Sequence, residues 1–393
     1  MATDELDLAP ATPAAGSPPG PRGLGTPAAP GTGSGAGSAT GSAGFSTDAE
    51  LAAGPVAASR PAAPAGTSTD KVKVLYIGGT GRSGSTLLDN ILGQIPGFCS
   101  VGELRYVWER GMVDNRLCGC GRPFRECPLW ASVLTAAFGD AERLDPAEMI
   151  RLQQARVRSR HVPRLLASRP DRSPPPPGSY EARLERLYQA LAGQTGARVI
   201  VDSSKLPSYG RVLQDIPSLD LYVVQLMRDP RATAYSWMRK RELRDYGDLR
   251  WMQRQPPLKS SGLWGMWNAV AELFWRPLGD HYLQLRYEDF VADPQPTVRR
   301  VLRLVGEEGA ELPFTGPHTV RLGPTHSVAG NPSRLANGEV ELQVDAEWMR
   351  RMDRKDRTLV TAVTWPLLLR YGYVGRRPGT SDRRSGPSEG GRR

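Results

Sequence analysis

The chain has 393 residues, yet no run of about 18 apolar residues occurs in it, so no membrane-spanning helix is expected. Its first residues, Met1 to Asp7, are acidic and lack an apolar core, so they do not read as a secretory signal. Cysteine is scarce: Cys99, Cys118, Cys120 and Cys127 are the four. With no export signal in view, a cytoplasmic, reducing compartment is expected and a structural disulfide is not the default. Aromatics are nearly missing from residues 1–70, where Phe45 stands alone among Ala, Pro, Gly, Ser and Thr. Such a segment buries too little apolar surface to offset chain entropy and is expected to be disordered. No zinc-finger or RNA-binding signature is present, and no basic run is interleaved with aromatics, so nucleic acid is not the expected partner.

The charge is unevenly spread. The chain carries a net +10, its first 70 residues are net acidic, and the tail 376–393 is net basic and expected to be disordered. Residues 71–375 hold about +10, a balance that favours an anionic ligand. The abundance of Ala, Gly, Pro and Arg suggests a GC-rich bacterial source.

The chemistry gathers at Val74-Leu75-Tyr76-Ile77-Gly78-Gly79-Thr80-Gly81-Arg82-Ser83-Gly84-Ser85-Thr86-Leu87-Leu88. An apolar run reads as a buried strand and a glycine-rich turn follows. Ser85 then opens a helix with Leu88, Ile91 and Leu92 on one face. Strand, glycine turn and helix N-terminus form a phosphate cradle. The run is close to the nucleotide-hydrolase loop G-x-x-x-x-G-K-[ST], with Gly79, Gly84 and Thr86 in place. Ser85, however, stands where that loop has lysine, and the cation is Arg82. An arginine fork in that position suits a different anion.

Gly81-Arg82-Ser83-Gly84-Ser85-Thr86-Leu87 resembles the 5′-phosphosulfate loop of sulfotransferases. It matches the branch with arginine in the loop, which includes tyrosylprotein and many bacterial and carbohydrate enzymes. A second resemblance is Arg228-Asp229-Pro230-Arg231 with Ser236 eight residues after Arg228. Asp229 and Pro230 suit the start of a helix. In that family the arginine and serine hold the 3′-phosphate of 3′-phosphoadenylyl sulfate (PAPS). The resemblance spans roughly residues 71–373.

It implies further roles. Glu103, 21 residues after Arg82, matches the Gly-Glu pair that supplies the general base in tyrosylprotein sulfotransferases. A partly desolvated carboxylate with raised pKa suits that task; pairing with Arg105 or capping a helix is the alternative. His161, His281, His318 and His326 leave a histidine base open. Asp202-Ser203-Ser204-Lys205 resembles the segment that brings a lysine to the transferring sulfuryl group. Asp202 could instead be the magnesium-binding aspartate of a nucleotide hydrolase. Tyr287, in Arg286-Tyr287-Glu288-Asp289, is placed to touch the nucleotide, with Glu288 and Asp289 structural. Ser327, Asn331 and Arg334 lie in a polar loop similar to the one that closes over the bisphosphate product.

The fold expected is a three-layer α/β P-loop domain over 71–375, with a mostly parallel sheet and a helical insertion or lid at 107–190. Helices are expected over 133–138, 146–166 and 180–191, and Trp264, Trp267, Phe274 and Trp275 read as core on a helix over 262–276. Cys118, Cys120 and Cys127 lie within ten residues at a spacing that is not standard for zinc. A structural turn, a metal site completed by Cys99 or His161, and a disulfide all stay open there. The expected reaction is sulfuryl transfer from PAPS to an acceptor hydroxyl or amine, with Glu103, Arg82 and Lys205 catalytic and no metal required. The donor would sit on Gly81, Arg82, Ser83, Gly84, Ser85, Thr86, Arg228, Ser236, Tyr287, Ser327, Asn331 and Arg334. The acceptor class is open among small molecules, carbohydrates, lipids and protein hydroxyls. The alternatives are a P-loop kinase or nucleotide hydrolase, and a non-catalytic nucleotide-binding module.

Overall fold

The apolar run after Lys71 forms a strand whose residues are all buried from Val74 onward. A strand covered on both faces reads as continuous apolar sequence, and a parallel sheet between helices provides that cover. The computed structural model describes residues 71–374 apart from 140–143, 244 and 247–249. The segments 1–70 and 376–393, expected to be disordered, lie outside the described residues.

Among the described residues the strands are β1 (Val72–Gly79), β2 (Phe98–Gly102), β3 (Val199–Lys205), β4 (Leu219–Met227), β5 (Glu242–Leu243), β6 (Arg250–Trp251), β7 (Tyr282–Arg286), β8 (Thr319–Leu322) and β9 (Gly338–Glu341). Five make the central sheet in the order β2-β3-β1-β4-β7, and every pairing in it is parallel. The other four form two short antiparallel hairpins. The edge strand β2 is not marked by an apolar run in the sequence. Its five residues, Phe-Cys-Ser-Val-Gly, have no alternation of their own and are extended by pairing with β3.

Successive side chains of β1 serve opposite layers. Leu75 and Ile77 pack with Leu88, Ile91 and Leu92 of the helix Ser85–Leu92 and with Val298, Val301 and Leu302 of the helix Pro294–Leu304. Tyr76 points to the other face. Its ring lies edge-on to Trp275 at 5.5 Å and tilted to Tyr209 at 6.2 Å, and its hydroxyl donates to Leu206 O at 2.8 Å. Sheet and two helical layers together give the expected α/β architecture.

The insertion between β2 and β3 is helical, with modified boundaries. The expected helix over 146–166 is broken into Pro146–Val157 and Val162–Ala167. Pro163 has no N–H for the carbonyl of residue 159, and its ring crowds that carbonyl, so the turn before it opens. The helix Pro128–Phe138 starts five residues earlier than expected, with Pro128 at its first position. The helix Pro257–Trp275 likewise begins at a proline and buries Trp264, Phe274 and Trp275. No described helix is long and apolar enough to cross a membrane.

Candidate active site

Because the five central strands are parallel, their carboxyl ends share one edge, where open α/β sheets bind ligands. The expected site residues stand there. The loop Thr80–Gly84 follows β1, Glu103 follows β2, Lys205 ends β3, Arg228 follows β4 and Tyr287 follows β7.

The loop is shaped by two left-handed residues, Arg82 (φ 70°) and Gly84 (φ 89°). Gly84 caps the helix Ser85–Leu92. A Cβ on it would lie 2.3 Å from the Tyr287 ring, so both its conformation and its neighbour require glycine. Arg82 lies over the Trp237 ring at 4.8 Å and donates from Nη2 to Met252 Sδ at 3.2 Å. Its Nε and Nη1 are buried without a partner, as are Thr80 Oγ1 and Ser83 Oγ. Burial pushes the guanidinium pKa down to about 10, and Arg241 and Arg228 act in the same sense against Glu103. A buried cation with unmatched donors, next in sequence to unmatched hydroxyls, has the chemistry to take up an anion.

Arg228 donates to Arg82 O at 3.2 Å and to Asp345 Oδ2 at 3.0 Å, and lies over the Tyr287 ring at 4.8 Å. Trp264 Nε1 holds the Arg228 carbonyl at 2.9 Å. Asp229 caps the helix Pro230–Met238 through Arg231 N at 2.8 Å, and that helix carries the buried Ser236. Glu288 accepts from Asp229 N at 2.9 Å, the structural role expected of it. Two residues of this region were not singled out from sequence. Arg241 adds a positive charge close to Arg82 and Arg228; its signal was the run Arg239-Lys240-Arg241 after the helix Pro230–Met238. Asp345 had none, since 117 residues separate it from Arg228.

Glu103 and Lys205 form an ion pair, Nζ to Oε1 at 2.5 Å, in which both side chains are largely buried. Lys205 is held in a left-handed conformation (φ 67°), and its ammonium also donates to Ser203 O at 3.2 Å. The expectation of a raised Glu103 pKa is corrected here. Burial does push it up, but Lys205, then Arg110 and Arg105, outweigh burial and hold the carboxyl below its ordinary value. Its pairing with Arg105, one of the alternatives, gives way to Lys205. Asp202 accepts from Tyr188 Oη at 2.5 Å and from Ser204 N at 2.8 Å. Burial pushes its pKa up to about 6 against those bonds. The residue thus braces the strand end that presents Lys205.

The late loop reaches the cradle through Asn331 N, which donates to Thr86 Oγ1 at 3.3 Å. Asn331 Oδ1 caps the following turn through Ser333 N. Arg334 and Ser327 already have partners in the protein, although Arg334 Nε has none. The buried Arg334 donates to Ser327 O at 2.9 Å and pairs with Asp245 Oδ2 at 3.1 Å, and Asp245 also pairs with Arg116 at 2.6 Å. Ser327 Oγ accepts from Thr325 Oγ1 at 3.1 Å and is fully buried. The same loop brings His326 beside Cys118, Cys120 and Cys127, whereas Cys99 and His161 are not in that group.

Solved structures with a similar chain path include the sulfotransferase domain of the olefin synthase of Synechococcus PCC 7002. It is 21% identical, with 76% of this chain and 96% of that one covered and a TM-score of 0.38. The sulfotransferase domain of the curacin biosynthetic pathway is 16% identical, covers 76% and 97%, and has a TM-score of 0.42. Human carbohydrate sulfotransferase 2 is 27% identical over 316 residues, 62% of this chain and 56% of that protein. The mouse protein of the same name is 32% identical over 124 residues, 23% of each. The chain therefore spans little more than half the length of these curated relatives at most. The model of the sulfotransferase family matches residues 75–311, more than half of the sequence, and the chain belongs to that family.

Proposed function

We propose that the protein transfers the sulfuryl group of PAPS to a carbohydrate hydroxyl and releases adenosine 3′,5′-bisphosphate. The observation that carries the reading is Arg82, buried in the cradle with Nε and Nη1 unpartnered beside the unpartnered hydroxyls of Thr80 and Ser83. These donors fit the 5′-phosphosulfate, with the main chain of Gly81–Thr86 and the helix N-terminus. Arg228 and Ser236 would hold the 3′-phosphate, which PAPS has and ATP lacks, and Tyr287 would flank the nucleotide. Asn331 would close over it from the late loop. Ser327 and Arg334, expected as ligands, would act by holding that loop in place, given the partners they already have.

PAPS would supply the sulfuryl group, and this chain's residues would prepare the acceptor. Glu103 is ionised at neutral pH, so it can take the hydroxyl proton. The acceptor oxygen then bonds to sulfur, the bond from sulfur to the 5′-phosphate oxygen breaks, and its electron pair leaves with the bisphosphate. Lys205 has three N–H donors, of which two are matched by Glu103 and Ser203. The third would stabilise charge on the leaving oxygen, with Arg82 on the sulfuryl oxygens. A magnesium role for Asp202 is disfavoured, because its oxygens already accept from Tyr188 Oη and Ser204 N.

The carbohydrate acceptor is supported by the names of the relatives at 27% and 32% identity. Calorimetric titration with adenosine 3′,5′-bisphosphate should show binding that ATP with magnesium does not match. Labelled PAPS offered with carbohydrate, lipid, small-molecule hydroxyl and amine acceptors should label carbohydrate. A preference for ATP would overturn the donor, and label on another acceptor alone would overturn the carbohydrate.

A further inference from the structure

We infer that Cys118, Cys120, Cys127 and His326 form a structural zinc site that clamps the insertion to the late loop. The inference does not rest on the sulfuryl-transfer reading. One ligand atom from each residue lies within 4.8 Å of all the others. Tetrahedral zinc with ordinary bond lengths sets sulfurs about 3.8 Å apart, and sulfur and nitrogen about 3.6 Å apart. Cys120 Sγ and Cys127 Sγ are 3.8 Å apart, and His326 Nδ1 is 3.8 Å from Cys118 Sγ and 3.3 Å from Cys127 Sγ. None of the four cysteines is in a disulfide.

The backbone presents these ligands as a built site. Leu117 and Pro123 bridge as an antiparallel pair, and Cys118 N donates to Arg122 O at 2.7 Å. The tight turn between them carries Cys118 and Cys120. Cys127 stands at the N-cap position of the eleven-residue helix Pro128–Phe138. The fourth ligand arrives from about 200 residues away and is fixed independently, because Trp130 Nε1 holds the His326 carbonyl at 2.9 Å. Gly119 N donates to Ser327 O at 2.9 Å, and a Cβ on Gly119 would meet Ser327 Oγ at 2.5 Å, so the turn docks flush on the loop. Three sulfurs and one imidazole, with no carboxylate among them, suit zinc rather than calcium or magnesium. All four ligands are protein groups, which marks a structural site rather than a catalytic one.

The clamped loop is the one that touches the candidate active site. Val328 N donates to Val101 O at 2.9 Å, Glu103 N to Ala329 O at 3.1 Å, and Asn331 N to Thr86 Oγ1 at 3.3 Å. Zinc would thus fix the main chain on either side of Glu103 and over the end of the cradle.

The test uses the full chain, expressed with supplementary zinc and purified without chelator or a histidine tag. Elemental analysis should give one zinc per chain, and Cys127→Ser and His326→Ala should each lose it. Since such variants can fail to fold, the wild-type protein is also loaded with cobalt, which should give the intense visible bands of a tetrahedral thiolate site. In the zinc form, thiol reagents should leave Cys118, Cys120 and Cys127 unmodified until a strong chelator is added, and the chelator should lower the melting temperature. Zinc below about a tenth per chain, a disulfide among the three cysteines, or full zinc in Cys127→Ser would each overturn the inference.

Discussion

Replacing Arg228 by alanine separates the two phosphates of the donor. The side chain is largely buried, pairs with Asp345 at 3.0 Å and lies over Tyr287. A hydrogen bond to a charged group contributes about 1.5–3 kcal/mol, or about 10- to 150-fold in affinity. Truncation does a second thing: it leaves the Asp345 carboxylate without its partner and facing an incoming phosphate. Asp345 is about a third exposed, so that repulsion is screened and adds about 1 kcal/mol. Arg228→Ala should therefore weaken adenosine 3′,5′-bisphosphate by about 2.5–4 kcal/mol in calorimetric titration. Adding Asp345→Asn should return about 1 kcal/mol of it. Adenosine 5′-phosphate, without a 3′-phosphate, should lose less than about tenfold in the single variant. Equal losses for the two nucleotides would refute the 3′-phosphate role of Arg228.

Three other perturbations address the rest of the site. Glu103→Gln should lower kcat by about 10²- to 10⁴-fold while bisphosphate affinity is kept; near-normal turnover would remove Glu103 as the base. The Glu103 carboxyl is held below its ordinary value of 4.5, so its pairing stabilises the fold above that pH and is lost as pH falls through the lower folded value. The acid limb of kcat/KM should accordingly lie below pH 4.5, and Lys205→Met should move it to higher pH, because burial then loses its strongest opponent; a limb that stays put would contradict the pairing. Gly84→Ala forces a left-handed alanine, which costs about 1–2 kcal/mol, and drives a methyl to within 2.3 Å of Tyr287. Differential scanning calorimetry should show a lower melting temperature and titration a bisphosphate affinity reduced more than about tenfold; an unchanged loop on both measures would show that the tight approach is not required.

What the sequence by itself determined was local. The apolar run of β1, the glycine turn and the one-sided helix Ser85–Leu92 are encoded by near neighbours, and so is the cap at Asp229 before Pro230. The order of those motifs was enough to identify the family and the α/β architecture. The β2 strand escaped, because five residues without alternation become a strand only against β3. Tertiary structure alone decided the partners. Glu103 and Lys205 are 102 residues apart, Arg228 and Asp345 117, and Cys127 and His326 199. The parallel sheet brings the first pair together, because successive strand ends meet at one edge whatever the length of the insertion between them. That meeting reversed the expected shift of Glu103: burial was legible from its apolar surroundings, while the opposing ammonium was not. Ser327 and Arg334 stand together as a polar string, and only packing shows Ser327 bonded to Thr325 and Arg334 to Ser327 O and Asp245, with Arg334 Nε left unpartnered. Periodicity and capping act over a few residues, whereas charge pairing and ligand geometry act through space, and the chain's topology decides which distant residues share that space.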